Sequence, residues 1–348
     1  MGLNMKWVIT GGCGFIGSSL IRKLVAEGGH GIRVIDNLTV GTRDDLASVC
    51  DFNEEIAPGK LHGTGVELVV GDILDKQLAL QVCQGADVIV HLAANTGVGP
   101  SVDDPRRDCV TNVMGTFNYL ESARMNDCKH FIFASSGAPI GECEPPIHEE
   151  LSAHPVSPYG ASKLAGEGYC SAYFRTYGIH TVVLRFGNVY GPGSGHKDSV
   201  VAKFIKLAQA GEALEIFGDG KQTRDFIYIE DIVRAIELAV TKKDIGGEVF
   251  QIATNRETTV GEMVDVLLPI LAKAGIGSVS VINGKSRQGD VMRNYSDTSK
   301  AREKLSWCCI TELQEGLYNT VRWFSLQDVL RKKLFLPPIS FKSNTLEQ

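Results

Sequence analysis

No Cys-x-x-Cys spacing, no long block of lysine and arginine and no apolar run of membrane-spanning length occurs in these 348 residues. Each absence excludes a class. Nine cysteines, an odd number in which only Cys308 and Cys309 adjoin, do not make a disulfide framework; they fit free thiols in a reducing cytoplasm. Without a basic block, and with a formal net charge of -6, the chain lacks the electrostatic footprint of a nucleic-acid binder. No membrane span and no metal site is expected. The first apolar segment, "KWVITGGCGFIGSSL", is broken by glycines and carries no cleavage pattern, so it reads as structure rather than targeting.

What is present is an alternation. Short apolar runs at "WVIT", "IRVID", "VELVV", "DVIVHLA", "HFIFAS" and "TVVLRF" are separated by longer stretches of helical period, with helices expected near residues 15–28, 105–126 and 157–178. Nearly unbroken Val, Ile and Phe suit strands buried on both faces, so the pattern predicts an α/β fold with a doubly wound parallel sheet. After residue 190 the text becomes Gly-rich and irregular, beginning "GPGSGHKDSV". The expected organisation is a dinucleotide-binding domain mainly over 1–190 and a smaller α/β C-terminal substrate lobe mainly over 191–325, with some exchange of chain between them. Residues 326–348, with a Pro pair and a polar finish, read as an extension.

"VITGGCGFIGSSL" places Gly11, Gly14 and Gly17 between a strand and a helix, where missing side chains let backbone amides approach a pyrophosphate. "RVIDN" then ends the next strand with Asp36, nineteen residues after Gly17. An acid there accepts from a ribose diol and repels a 2′-phosphate, which favours NAD over NADP. "VGDILD" offers Asp72 to an adenine amine, and "HLAAN" offers the small Ala93 and Ala94 at a third strand end. In "PYGASKLAGEGY", Tyr159 and Lys163 stand four apart and so share a helix face. A phenol beside an ammonium is a candidate proton shuttle, because the positive charge favours the phenolate.

Taken in order, "TGGCGFIG", "DN", "GDI", "HLAA", "SPYGASK" and "LRFGNVYGP" resemble the extended short-chain dehydrogenase/reductase family, in particular its nucleotide-sugar 4-epimerases, over roughly residues 6–325. The resemblance implies a Rossmann-type domain, bound NAD and a homodimer through the helices near 105–126 and 157–178. It assigns catalysis to Tyr159, Lys163 and Ser136, the last easily confused with Ser135. Cofactor contacts carry over to Gly11, Gly14, Phe15, Ile16, Gly17, Asp36, Asn37, Asp72, Ile73, Leu92, Ala93, Ala94 and Asn112, beside Tyr159 and Lys163. Substrate contacts carry over to Thr96, Ser136, Asn188, Ser199, Val200, Phe217, Arg224, Arg287, Asp290 and Asn294.

Two departures bear on substrate. Where family members carry Tyr-Gly, this chain has Ile140 and Gly141 after Pro139, so a wall of the sugar pocket has lost a hydroxyl. Gly137 and Ala138 stand where the related 4,6-dehydratases place Asp and Glu, which disfavours loss of water. Asn294 stands where plain-hexose epimerases commonly have a bulky Tyr, leaving room for a 2-acetamido group. The resemblance therefore implies a UDP-sugar 4-epimerase acting on UDP-N-acetylglucosamine, UDP-glucose or both through a transient 4-keto sugar. UDP-glucuronate 4-epimerase is the second reading, in which Arg185 meets a C6 carboxylate. A reductase, a dehydratase and a non-catalytic dinucleotide sensor rank below.

Overall fold

A computed structural model describes residues 4–197, 199–277, 279–285 and 292–333. The strands run in chain order as β1 (Lys6–Thr10), β2 (Gly31–Asp36), β3 (Asn53–Glu54), β4 (Gly65–Val70), β5 (Val88–His91), β6 (His130–Ser136) and β7 (His180–Phe186). Four short strands follow, β8 (Asn188–Tyr190), β9 (Leu214–Phe217), β10 (Thr223–Arg224) and β11 (Phe226–Tyr228). Then come β12 (Glu248–Ile252), β13 (Thr258–Thr259) and β14 (Val281–Gly284). One sheet of eight strands has the order β12-β7-β6-β5-β1-β2-β4-β3, and every pairing in it is parallel. The chain winds outward from β1 in one direction, then restarts at β5 and winds in the other. That reversal leaves a crevice between the carboxyl ends of β1 and β5.

The helices are α1 (Phe15–Glu27), α2 (Arg43–Ala47), α3 (Lys76–Val82), α4 (Val98–Asp103), α5 (Pro105–Cys109), α6 (Gly115–Met125), α7 (Pro158–Tyr177), α8 (Val200–Gln209), α9 (Ile229–Thr241), α10 (Val260–Lys273) and α11 (Leu313–Lys333). Successive strand residues point to opposite faces, so each strand supplies two cores. Ile9, Val34, Val90, Ile132 and Leu184 bury against the α1 and α9 side with Leu20, Leu24 and Ile236. Val8, Ile35, Ile89, Phe131 and Val183 bury on the opposite side with Ala79, Tyr119, Leu120 and Tyr173 of α3, α6 and α7. This is why the strands read as continuous apolar runs.

Chain beyond β7 is shared between the sheet and a smaller body. β12 pairs with β7 as the last strand of the large sheet, whereas β8 pairs with β11, β10 with β13 and β9 with β14. Among the described residues no helix is long and apolar enough to cross a membrane. No group of three or more His, Cys, Asp or Glu side chains among them is arranged to hold a metal.

One strand residue gives the fold a pH dependence. His91 is buried, its ring stacked near Phe131 and Phe133, and its Nδ1 lies 3.0 Å from Thr10 Oγ1. Burial, reinforced by the charge of Lys163, pushes the imidazole down to about 3. The unfolded chain takes up a proton near ~6.5 that the folded chain refuses, so stability is full above that value and falls as pH drops toward 3. His130 and His180 are also held low by burial and add to the slope. Urea midpoints between pH 7 and 4.5 are expected to fall steeply for the parent and less steeply for His91→Phe; parallel curves would show that His91 contributes nothing.

Candidate active site

The crevice is built first from glycine. Gly11 has φ +68° and donates its N–H to the Ile35 carbonyl at 2.7 Å, which ties the end of β1 to β2. A Cβ at Gly11 would lie 2.9 Å from the Ala93 nitrogen, across the gap to the chain leaving β5. At Gly17 a Cβ would lie 2.5 Å from both the Gly11 oxygen and the Gly12 Cα, so the first turn of α1 touches the loop backbone directly. α1 starts after Gly14 with no side-chain cap and no acid in its first turn. The amides of Phe15, Ile16 and Gly17 are thus left to an anion, as a pyrophosphate requires.

Acids close the adenosine side. Asp36 is buried at the end of β2, where its Oδ2 accepts from Cys13 N–H at 3.0 Å and its Oδ1 from Leu38 N–H at 2.9 Å. Burial holds its carboxyl above the ordinary range. Asn37 donates to Asp72 across the ends of β2 and β4 at 2.9 Å, and Asp72 also accepts from Leu74 N–H. Leu92 and Ala93 donate their N–H groups to Thr10 Oγ1 at 3.2 Å, and Ala94 follows them, half-buried. Two residues assigned to the cofactor also brace the frame. The Ile73 side chain packs in the core against Gly115. Asn112 is buried with its amide spent on the N–H and carbonyl of Asn95, on Asp108 and on Ser162, because a π-turn over Val110–Met114 rotates it inward.

Tyr159 and Lys163 stand on the first turns of α7, which begins with Ser157 accepting from Gly160 N–H and with Pro158 at its first position. Lys163 is buried: its Nζ donates to the Ala134 carbonyl at 2.8 Å and lies 4.8 Å from the Phe133 ring centre and 5.9 Å from that of Tyr159. The neighbouring strand β6 ends at Ser136, whose hydroxyl accepts from Ala138 N–H at 3.1 Å. Ser135 points elsewhere, donating to Glu167 at 2.6 Å, so the two serines separate cleanly. Burial raises the Tyr159 hydroxyl, Ser136 opposes that rise, and Lys163 is itself pushed down to about 8 by burial.

Arg185 also departs from expectation. It is buried on β7 and grips Glu167 through Nε at 2.8 Å and Nη2 at 2.6 Å, a clamp inside the protein rather than at the sugar. Thr96 is exposed beyond β5, Asn188 is exposed at the start of β8, and Ser199 precedes α8 with Val200 as that helix's first residue. The Ser199 hydroxyl is buried without a partner among the described residues. Phe217 ends β9 with Lys203 Nζ 5.5 Å from its ring centre, and Arg224 donates to the Thr223 carbonyl at 2.7 Å. Asn294 donates its backbone N–H to Thr223 Oγ1 at 3.0 Å. Arg287 and Asp290 lie outside the described residues. Ile140 is buried in a turn closed by its N–H on the Gly137 carbonyl, and Gly141 follows at φ +78°. Asp108 and Lys197 were not singled out from the sequence; Lys197 Nζ lies 5.5 Å from the Phe15 ring centre, beside the glycine turn.

A doubly wound sheet whose switch point faces an uncapped helix, with Ser, Tyr and Lys gathered at its rim, defines a dinucleotide-dependent enzyme of the short-chain dehydrogenase/reductase type. The chain belongs to the NAD dependent epimerase/dehydratase family, whose model matches residues 7–253. Its cofactor is NAD, and it is an epimerase of the extended type. It is 35% identical over 329 residues to the UDP-glucose 4-epimerase of Mycolicibacterium smegmatis, covering 92% of this chain and 98% of that one. The UDP-glucose 4-epimerase of Thermotoga maritima, solved with UDP-glucose, superposes with a TM-score of 0.82 at 35% identity, over 94% of this chain and all of that one. The UDP-N-acetylglucosamine 4-epimerase of Methanobrevibacter ruminantium M1 superposes with a TM-score of 0.83 at 29% identity, over 93% and 99%.

Proposed function

We propose that the chain is a UDP-sugar 4-epimerase acting on UDP-N-acetylglucosamine, UDP-glucose or both. The observation that carries this reading is Lys163, buried on the turn of α7 that follows Tyr159, with its Nζ 5.9 Å from the Tyr159 ring centre and Ser136 at the end of the neighbouring β6. NAD, when bound, supplies a hydride acceptor that later returns the hydride. Tyr159 takes the proton of the C4 hydroxyl, Ser136 holds that hydroxyl in line, and Lys163 supplies positive charge beneath the phenol. The 4-keto sugar then turns about its diphosphate and presents its other face, and Tyr159 returns the proton. Gly137 and Ala138 offer no acid to assist dehydration, which favours epimerisation within a family that contains both reactions.

On this reading Thr96, Asn188, Ser199, Val200, Phe217, Arg224, Arg287, Asp290 and Asn294 bind the nucleotide sugar, and Asn294 leaves room for a 2-acetamido group. A glucuronate substrate loses the support of Arg185, whose guanidinium is committed to Glu167. Incubation with a panel of UDP-hexoses, products resolved by NMR, is the direct test. Inversion at C4 of at least one of them is expected; no C4 epimer from any would overturn the proposal.

Two further outcomes follow from the same reading. Asp36 at the end of β2 repels a 2′-phosphate, so NAD is expected to bind at least tenfold tighter than NADP, and equal affinities by calorimetry would remove the role given to Asp36. Val98, Val102, Val110, Met114 and Tyr169 are exposed on the α4–α7 side. A homodimer formed through these helices is expected in sedimentation at micromolar concentration; a monomer there counts against it.

A further inference from the structure

We propose that Glu167 is a positioning residue for the reaction: held by Ser135 of β6 and Arg185 of β7, it fixes α7 along and about its own axis and so sets where the Tyr159 hydroxyl meets Ser136 and the sugar. The inference rests on the reading of Ser136, Tyr159 and Lys163 given above. Tyr159, Lys163 and Glu167 stand at i, i+4 and i+8 of α7, along one side of the helix and about 12 Å from first to last. That side lies on β6. Its ties are to consecutive residues of the strand: the Ala134 carbonyl accepts from Lys163 Nζ at 2.8 Å, Ser135 Oγ donates to Glu167 Oε1 at 2.6 Å, and the next residue is Ser136. The placement of α7 on β6 therefore decides the geometry of the reacting groups.

Where helix and strand come closest, packing gives little register. Gly166 meets β6 without a side chain, and a Cβ there would stand 2.5 Å from the Phe133 ring, so the contact sets the distance between the two elements but offers no ridge against sliding. Lys163 reaches the strand through a flexible four-carbon stem that can follow a shift of the helix. Glu167 is held differently. Its carboxylate receives Ser135 Oγ and Arg185 Nε, the latter at 2.8 Å, on Oε1 and Arg185 Nη2 at 2.6 Å on Oε2. The paired grip of a planar guanidinium fixes direction as well as distance. Ser135 and Arg185 are register partners across β6 and β7, so the sheet presents its donors as one cradle, and all three side chains are buried. Arg185 Nη1 is buried without a partner among the described residues, so the guanidinium serves no second group there. An apolar pair of similar volume would hold the fold as well; what the ions add is direction.

The test compares the parent with the double variant Glu167→Leu/Arg185→Met, with Arg185→Lys and with Ser135→Ala, each measured for bound NAD, for KM and for kcat of C4 inversion per bound NAD. The double variant removes both charges together, so no lone ion is left in the interior to unfold the chain. Arg185→Lys keeps the charge and gives up the fork, and it decides the matter should the double variant fail to fold. In both, kcat per bound NAD is expected to fall by about tenfold to hundredfold, the order that a ~1 Å misplacement of reacting groups costs, with KM and NAD content within about threefold of the parent. Ser135→Ala leaves the fork in place and is expected to lose less. A folded double variant or Arg185→Lys that keeps the parent's kcat overturns the proposal. So does a loss that vanishes once the rate is expressed per bound NAD, which is the mark of a role in folding alone. A parent that inverts C4 of no UDP-hexose, or full activity in Tyr159→Phe, would instead overturn the reading of the group itself, so the two failures are distinct.

Discussion

Tyr159→Phe is expected to lower C4 inversion by on the order of 10²–10⁴ while the fold and NAD binding survive. The substitution removes one oxygen and keeps the ring, so the stack of Lys163 beneath it persists and α7 retains its Ser157 cap and Pro158 start. What disappears is the phenolic oxygen, the atom proposed to exchange a proton with the sugar hydroxyl. Lys163 cannot take over as the base while it is an ammonium, which has three donors and no lone pair to accept a proton. Steady-state rates on each accepted UDP-hexose, with NAD content measured on the same sample, decide the matter. Near-normal epimerisation would mean that another residue handles the proton.

Gly17→Val is expected to produce the largest loss at the cofactor. Its Cβ would stand 2.5 Å from the Gly11 oxygen and 2.5 Å from the Gly12 Cα, and both are backbone atoms of the turn itself. No flexible side chain is there to yield, so the loop must move away from α1 and carry its amides with it. Overpacking of this kind costs about 1–3 kcal/mol, which corresponds to roughly fivefold to 150-fold in affinity if it falls on the bound state. Titration with NAD is the measurement, and Gly59→Ala, where a Cβ meets nothing within 4 Å, is the control. An affinity within twofold of the parent would show that the turn tolerates a side chain.

The parts of this site that were readable in the text are those whose chemistry is fixed by local spacing. Gly11, Gly14 and Gly17 belong to one turn, Tyr159 and Lys163 to one helical face, and strands buried on both sides announce themselves as unbroken apolar runs. What could not be read depends on which distant segments meet. Glu167 sits one helical turn beyond Lys163, and only the placement of α7 over β7 commits Arg185 to it, which is why Arg185 was credited to a sugar carboxylate. Asn112 was assigned by position alone; its bonds to Asn95, Asp108 and Ser162, made from a π-turn, leave no composition signal. Strand alternation was the one overlooked clue to Ser135 and Ser136, since neighbours on β6 must face opposite ways.

The position of β12 has a consequence for synthesis. When a ribosome has released the chain only as far as Phe186, the apolar edge of β7 has β6 on one side and nothing on the other. Its covering strand, Glu248–Ile252, emerges some sixty residues later, and until then the nascent sheet exposes an edge open to pairing with other chains. Elongation at ~5–20 residues per second makes that vulnerable interval last seconds. A chain cut after residue 190 would remain in that condition permanently, so the boundary visible in the amino-acid pattern is not one at which this molecule can be divided.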